Sequence, residues 1–321
     1  MIKKIISTPY QLAHLIRESL FNLKCKLGFS KKNTLARPVI SIGNISFGGT
    51  GKTPFCYELV KYLSLQGLKV GILSRGYKSN FEQSCAFFSS LNHKYSAKDI
   101  GDEPLMLANK FKDTNLEVFF AIGKDRYTNA QALIDLESEI DVLVLDDGLQ
   151  YFKLKRDIEI ILENVQEQGF YREFDFALKK ADFLIYTKAD DDWMSKNLEK
   201  NSMKFNLVLT KKLHYETDVG VFTGIADYIT LTKMLKRHIN QEFQRNDAQV
   251  KVLNYPDHHF FNLQEISDAI NLGIELITTE KDWVKIPEEF HSYFNLVKVE
   301  QEFQPKDLMA KIFSVITKRG Q

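Results

Sequence analysis

Residues 42–55 read IGNISFGGTGKTPF. With the residues on either side they give an apolar strand, VISIG, a glycine-rich turn, SFGGTGKT, and an amphipathic run, PFCYELVKYLSLQG, that stops at Gly67 as a helix C-terminus does. A phosphate-binding loop needs this setting, because successive backbone N–H groups and a helix N-terminus then converge on the β-phosphate. The usual pattern, G-x-x-x-x-G-K-[ST], begins with glycine, and here Ser46 stands in that place. Gly48, Gly49 and Gly51 keep the rest of the loop small and permissive. Ser46, Phe47, Gly48, Gly49, Thr50, Gly51, Lys52 and Thr53 are therefore the expected nucleotide-binding residues. Lys52 would reach the β- and γ-phosphates and Thr53 would ligate magnesium.

A loop of this kind requires a second magnesium site at the end of a buried strand. VLVLDDGLQ, residues 142–150, supplies an apolar run that stops at Asp146 and Asp147, the form of a Walker B segment. Together the two motifs imply a nucleotide-dependent phosphotransferase or switch, and they do not choose between them.

Beyond residue 38 short β-rich runs alternate with helical patterns. PVISIG, KVGILS, EVFFAI, DVLVLD, DIEIIL and DFLIYT are mostly apolar on both faces, as strands under two helical layers should be. A second series follows: KFNLVLT, DVGVFTG, QVKVLNY, IELITT and FNLVKVE. The expected fold is α/β, a P-loop NTPase-like parallel sheet domain over 1–204 with a second, smaller α/β domain over 205–321 that closes over the cleft.

Composition bounds the rest. Hydrophobic residues make up 44% of the 321 and charged residues 26%, ordinary values for a globular chain. A net charge of +1 argues against coating nucleic acid, and no nucleic-acid partner is expected. Cys25, Cys56 and Cys85 show no C-x-x-C spacing, so neither a disulfide framework nor a zinc site is supported, and a reducing compartment fits.

Residues 1–32 are lopsided, with Lys3, Lys4, Arg17, Lys24, Lys26, Lys31 and Lys32 against Glu18 alone, a net +6. Ile5, Leu12, Leu15, Ile16, Leu20, Leu23 and Leu27 recur mostly at three- and four-residue steps, giving a helix with one apolar face and a basic remainder. Such a helix lies in a membrane interface or docks on a core with its basic face in water. It lacks the h-region of a signal peptide, and nothing in the chain approaches the roughly 18 apolar residues of a spanning helix.

GNISFGGTGKTP (43–54), LSRGY (73–77), GDEP (101–104), GKDR (123–126), LDDGLQ (145–150), TGIAD (223–227), DHHF (257–260) and TTEKDWVK (278–285) occur in this order. The series resembles the tetraacyldisaccharide 4'-kinase family, the lipid A kinases, over roughly residues 37 to 286. The resemblance implies transfer of the ATP γ-phosphate, with magnesium, to the 4'-hydroxyl of a tetraacyl glucosamine disaccharide 1-phosphate at the cytoplasmic face of the bacterial inner membrane. It also favours the interfacial reading of the first helix, since anionic headgroups attract each basic residue by about 1 kcal/mol.

In that family the aspartate of GDEP and the first histidine of DHH form a catalytic pair, which falls here on Asp102 and His258. A carboxylate within hydrogen-bond reach of a sugar hydroxyl can take its proton, and an imidazole beside it can orient and tune it. By the same resemblance Glu103 assists at the metal, and Arg75 and Arg126 contact phosphate or substrate. Thr279 or Thr278 would cap a helix start, with Lys281 or Asp282 facing the cleft. Two departures stand out. Tyr151 replaces the family's histidine after DDG-x-Q, and the usual L-R-E segment is reduced to QEQGFYRE, where Arg172 and Glu173 match. An alternative from another class rests on YTKAD (186–190), which resembles the [NT]-K-x-D segment by which P-loop GTPases read guanine; a GTP-dependent switch would leave GDEP and DHHF without work.

Overall fold

Every residue from Val39 to Asn44 is buried, and this strand, β1, lies between two parallel neighbours near the middle of the sheet. The computed structural model describes residues 2–165, 170–213, 218–243 and 250–319. Within them the other strands are β2 (Val70–Ser74), β3 (Ala86–Ser89), β4 (Phe119–Ile122), β5 (Val142–Asp146), β6 (Ile158–Asn164), β7 (Phe183–Thr187), β8 (Ser202–Leu209), β9 (Val219–Thr223), β10 (Val250–Asn254), β11 (Glu275–Thr279) and β12 (Phe294–Gln304). All belong to one sheet, in the order β10-β9-β11-β12-β8-β7-β6-β1-β5-β2-β4-β3.

The α-helices are α1 (Ile2–Lys26), α2 (Lys52–Leu65), α3 (Ala97–Ile100), α4 (Asp102–Asp113), α5 (Arg126–Leu136), α6 (Asp191–Lys196), α7 (Tyr228–Phe243), α8 (Leu263–Ile270), α9 (Glu280–Trp283) and α10 (Leu308–Arg319). Strand alternation divides the apolar side chains between two faces. Ile40, Ile42, Val142 and Val144 pack with Phe55, Leu59 and Leu63 of α2, whereas Val39, Leu143 and Leu145 pack with Leu133 of α5 on the other side. The second group of strands is covered likewise, with Val221 against Leu235 of α7 and Phe222 against Ile266 of α8.

The expected parallel sheet is parallel except at two places. β3, too short to announce itself in the sequence, returns antiparallel on β4 at the edge. β12 pairs antiparallel with β8 from Val297↔Leu209 to Gln304↔Ser202, because these strands carry the chain out of the first group and back into it. Residues 204 and 205, where the sequence suggests a division, both lie inside β8. After β12 the chain returns to the first group, and Leu308, Met309, Ile312 and Ile316 of α10 join the core formed by α2.

The first helix does not dock by its apolar face. Among its described side chains Ser7, Gln11 and His14 are buried, while Leu12, Ile16, Leu20 and Leu23, with Leu27 just past its end, are each about half exposed or more. At about 3.6 residues per turn the two sets lie on opposite sides of the helix. Among the described residues no helix is long and apolar enough to cross a membrane.

Candidate active site

β1 delivers the phosphate loop and α2 begins at Lys52. Gly48 and Gly51 have φ of 97° and 85°, a region L residues avoid. A β-carbon on Gly51 would also stand 2.3 Å from Cζ of Phe205 in β8. The Lys52 ammonium donates to Oδ1 of Asn44 at 3.1 Å and lies 3.5 Å from Oδ1 of Asp147. Asn44 is fully buried, and its Nδ2 donates to the Ser46 carbonyl at 2.7 Å, so one side chain fixes both the loop and its lysine. Thr50 and Thr53 are buried at the end of the loop, and Phe47 is partly exposed on its outer side.

The two aspartates that end β5 have different partners. Asp147 has a positive φ of 51°, and Nη1 of Arg172 lies 2.9 and 2.8 Å from its two oxygens. Burial would raise its pKa, but Lys52 and Arg172 outweigh that and hold the carboxyl well below the usual range. Asp146 is buried, and its Oδ1 has no hydrogen-bond partner. Burial, then repulsion from Glu103 and Asp147, pushes its pKa up to about 7. A buried, unpartnered carboxylate oxygen beside further carboxylates fits a hard divalent cation held by oxygen ligands.

Opposite the loop, α4 begins at Asp102 behind Gly101, whose φ is 95°. His258 follows β10 in a left-handed conformation, φ 63°, with its backbone N–H donating to the Gly224 carbonyl at 3.2 Å. This places its Nδ1 3.0 Å from both carboxylate oxygens of Asp102. Tyr77 of the LSRGY segment meets the imidazole edge-on at 5.4 Å.

Two lysines complete the cluster. Lys281 of α9 has its ammonium 2.9 Å from Glu103, 3.2 Å from Asp257, 3.4 Å from Nε2 of His258 and 4.0 Å from Asp102. Asp102, Glu103 and His258 lie close enough to share a cation, and this ammonium stands beside all three. Lys285, its side chain fully buried, lies 3.7 Å from Asp102 and 2.8 Å from Asp282. Burial alone would raise the pKa of Asp102; the His258 hydrogen bond and the two ammonium groups reverse that and bring it to about 2. Thr279 caps α9 by accepting from the Asp282 N–H at 3.2 Å, while Asp282 is buried and accepts from Thr223 at 2.7 Å. Of the alternatives in TTEKDWVK, Thr279 is thus the cap and Lys281 the residue that faces the cluster.

The remaining expected residues have partners of their own. Arg75 donates to Glu82 at 2.7 Å. Arg126 is buried, donates to the Lys124 carbonyl at 3.0 Å and lies over the Tyr151 ring at 4.6 Å. Tyr151 donates to Asp125 at 3.0 Å and accepts from the Tyr127 N–H at 3.1 Å, which ties down the start of α5. His259 packs locally, stacked on Tyr255 and 3.0 Å from Glu265. In YTKAD, Lys188 is paired with Asp227, and Asp190 caps α6 by accepting from the Trp193 N–H at 2.9 Å. Asn44, Tyr77 and Lys285 are members of the site to which the sequence assigned no role, although they stand inside the segments GNISFGGTGKTP, LSRGY and TTEKDWVK.

Comparison with known proteins identifies the family and the fold. Residues 3–317 match the family model described as LpxK, tetraacyldisaccharide-1-P 4'-kinase. The tetraacyldisaccharide 4'-kinase of Colwellia psychrerythraea is 30% identical over 86% of this chain and 82% of its own length. That of Chlamydia trachomatis is 31% identical over 77% and 72%. The solved structure of LpxK from Aquifex aeolicus in complex with ATP superposes with a TM-score of 0.72 at 26% identity, covering 98% of this chain and all of that one. The chain belongs to the tetraacyldisaccharide-1-phosphate 4'-kinase family.

Proposed function

We propose that this chain transfers the γ-phosphate of ATP to the 4'-hydroxyl of a tetraacyl glucosamine disaccharide 1-phosphate, the step that completes the bisphosphate of a lipid A precursor. The observation that carries this is the contact between Asp102 and His258, 156 residues apart in sequence and joined at 3.0 Å. A sugar hydroxyl placed against Asp102 would be oriented by the carboxylate and lose its proton to it as the phosphoryl group arrives. In the loose transition state of phosphoryl transfer the proton leaves late, so a carboxyl with a low resting pKa can serve. Lys52 would neutralise charge building on the transferred group.

Magnesium belongs to this proposal, held by Asp146 with Thr53 and Glu103. The unpartnered Oδ1 of Asp146 supports that choice over Asp147, whose oxygens are taken by Arg172. Held by these residues, magnesium would supply positive charge against that of the phosphates.

A membrane-surface role for α1, at the cytoplasmic face of the inner membrane, also belongs to the proposal. Supporting it is the outward stripe of Leu12, Ile16, Leu20, Leu23 and Leu27 with Lys24 and Lys26 beside it. Such a stripe buries itself at the acyl boundary while cations meet anionic headgroups.

The test is phosphorylation of tetraacyl disaccharide 1-phosphate in mixed micelles with γ-labelled ATP and magnesium, with Asp102→Ala in parallel. Labelled bisphosphorylated lipid from the parent alone is expected. Unlabelled lipid from a folded parent that binds ATP would overturn the assigned acceptor.

A further inference from the structure

We infer that α1, besides facing outward with its apolar stripe, is part of the nucleotide site: Ser7, Gln11 and His14 act as positioning residues for the phosphate loop and Asp147 through a strap formed by residues 170–173. The contacts run without interruption from the helix to the Walker B aspartate. Ser7 Oγ accepts from the Tyr171 N–H at 2.9 Å, Gln11 Nε2 donates to the Glu173 carbonyl at 2.7 Å, and His14 Nδ1 lies 2.9 Å from the Glu173 carboxylate. On its other edge the strap is bonded to the loop. The Phe47 N–H donates to the Phe170 carbonyl at 2.7 Å, and the N–H groups of Arg172 and Glu173 donate to the Ile45 carbonyl at 2.7 and 3.1 Å.

The side chains repeat the connection. The Arg172 guanidinium lies over the Phe47 ring at 5.1 Å while reaching Asp147, and Tyr10 meets the same ring edge-on at 5.1 Å. Phe47 is thus held between α1 and the residue that holds Asp147.

Two physical points make this more than adjacency. A loop built on Gly48, Gly49 and Gly51 has little side chain with which to fix its own conformation, so its shape has to be imposed from outside. The docked face of α1 is also largely polar: Ser7, Gln11 and His14 are buried and all three engage the strap, while Phe21 is its apolar member, packed on Phe152 at 5.0 Å. A helix serving only as an anchor would gain more from apolar packing there than from buried polar groups that must each find a partner. The polar face is explained if what it holds is strap backbone and the Glu173 carboxylate.

This role rests on the nucleotide-binding part of the proposed function and is independent of membrane binding, whose residues lie on the opposite face of α1. The experiment measures ATP affinity of the full-length protein without lipid. Gln11→Ala combined with His14→Leu should raise the ATP Kd about fivefold or more, with vesicle binding and the lipid KM at saturating ATP unchanged. The single change His14→Asn is the conservative control: its amide nitrogen stands where the imidazole Nδ1 stood, and ATP affinity should stay near the parent value. An ATP Kd within twofold of the parent, in a double variant with the parent's circular dichroism, would overturn the inference. Should that variant fail to fold, Tyr10→Ala removes only a half-exposed ring, and unchanged ATP affinity there would count against it equally. Ile16→Ser with Leu20→Ser and Leu23→Ser should lower vesicle binding and leave the ATP Kd alone. Equal loss of ATP affinity from both faces would overturn the inference, since the outward residues do not touch the strap.

Discussion

Nδ1 of His258 is equidistant, at 3.0 Å, from both oxygens of Asp102, so one ring nitrogen faces the whole carboxylate. If the proposed base and its histidine act as a unit, their variants should not add. Asp102→Ala should lower kcat by about 100-fold or more with nucleotide binding largely kept, whereas Lys52→Ala should abolish transfer. His258→Ala should act on the same step, and the double variant should cost little more than the worse single one. Independent, multiplying losses in single-turnover assays would contradict a coupled pair.

Asp146 and Asp147 should separate in a metal titration. Asp146→Asn removes the negative charge of the buried group and exchanges one of its oxygens for an NH2, and activity should then need far more magnesium or vanish. Asp147→Asn instead weakens the hold on Arg172 and Lys52, so ATP affinity should fall while the magnesium dependence of the remaining activity stays near that of the parent. An identical shift in magnesium requirement for both variants would refute the asymmetry.

Gly51→Ala is a test of close approach. Its φ of 85° costs an L residue roughly 1–2 kcal/mol, and the new β-carbon would meet Phe205 at 2.3 Å. ATP binding and thermal stability should both fall. Adding Phe205→Leu should recover part of the loss, because it relieves the clash and leaves the backbone strain. Full recovery, or none, would show that only one of the two causes operates.

Acid should reveal the lysines around Asp102. Its carboxyl lies at about 2, below the ordinary 3.8. A depressed acid pKa contributes stability that is complete above the unfolded value and is lost as pH falls through the folded one. In chelator without nucleotide, the urea stability of the parent relative to Asp102→Asn should therefore be constant above about pH 5 and shrink toward pH 2. A difference that does not change over that interval would exclude the ionised, ion-paired carboxylate.

The strands were legible wherever an apolar run was bounded by turn residues, as in VLVLDDG, because burial on both faces leaves no polar alternation to misread. β3 escaped because a short edge strand within SCAFFSS carries too little pattern. The periodicity of α1 gave its two faces but not their direction: a hydrophobic stripe says which residues belong together, and only the partners of Ser7, Gln11 and His14 say that the polar set is the docked one. In the site, residues adjacent in sequence, such as Gly51, Lys52 and Thr53, could be grouped by spacing. Asn44 and Lys285 could not, since a strand-end amide and a buried lysine acquire meaning only from what folding brings to them. The pairing of Asp102 with His258 came from family resemblance, and its distance came from the fold.

The return of the chain after β12 has a consequence for synthesis. α10 buries Leu308, Met309, Ile312 and Ile316 in the core that α2 shares, and Phe313 meets Tyr62 at 6.3 Å. The helix that carries Lys52 and Thr53 at its start thus has part of its cover near the other end of the chain. A nascent polypeptide emerges from its N-terminus, so the strands and helices around the phosphate loop are made well before α10, which completes their core. Until residues 308–319 leave the ribosome, part of the apolar side of α2 stays uncovered. A chain truncated before that helix should be less stable and bind ATP more weakly in a calorimetric titration, although every residue of the loop itself would be present.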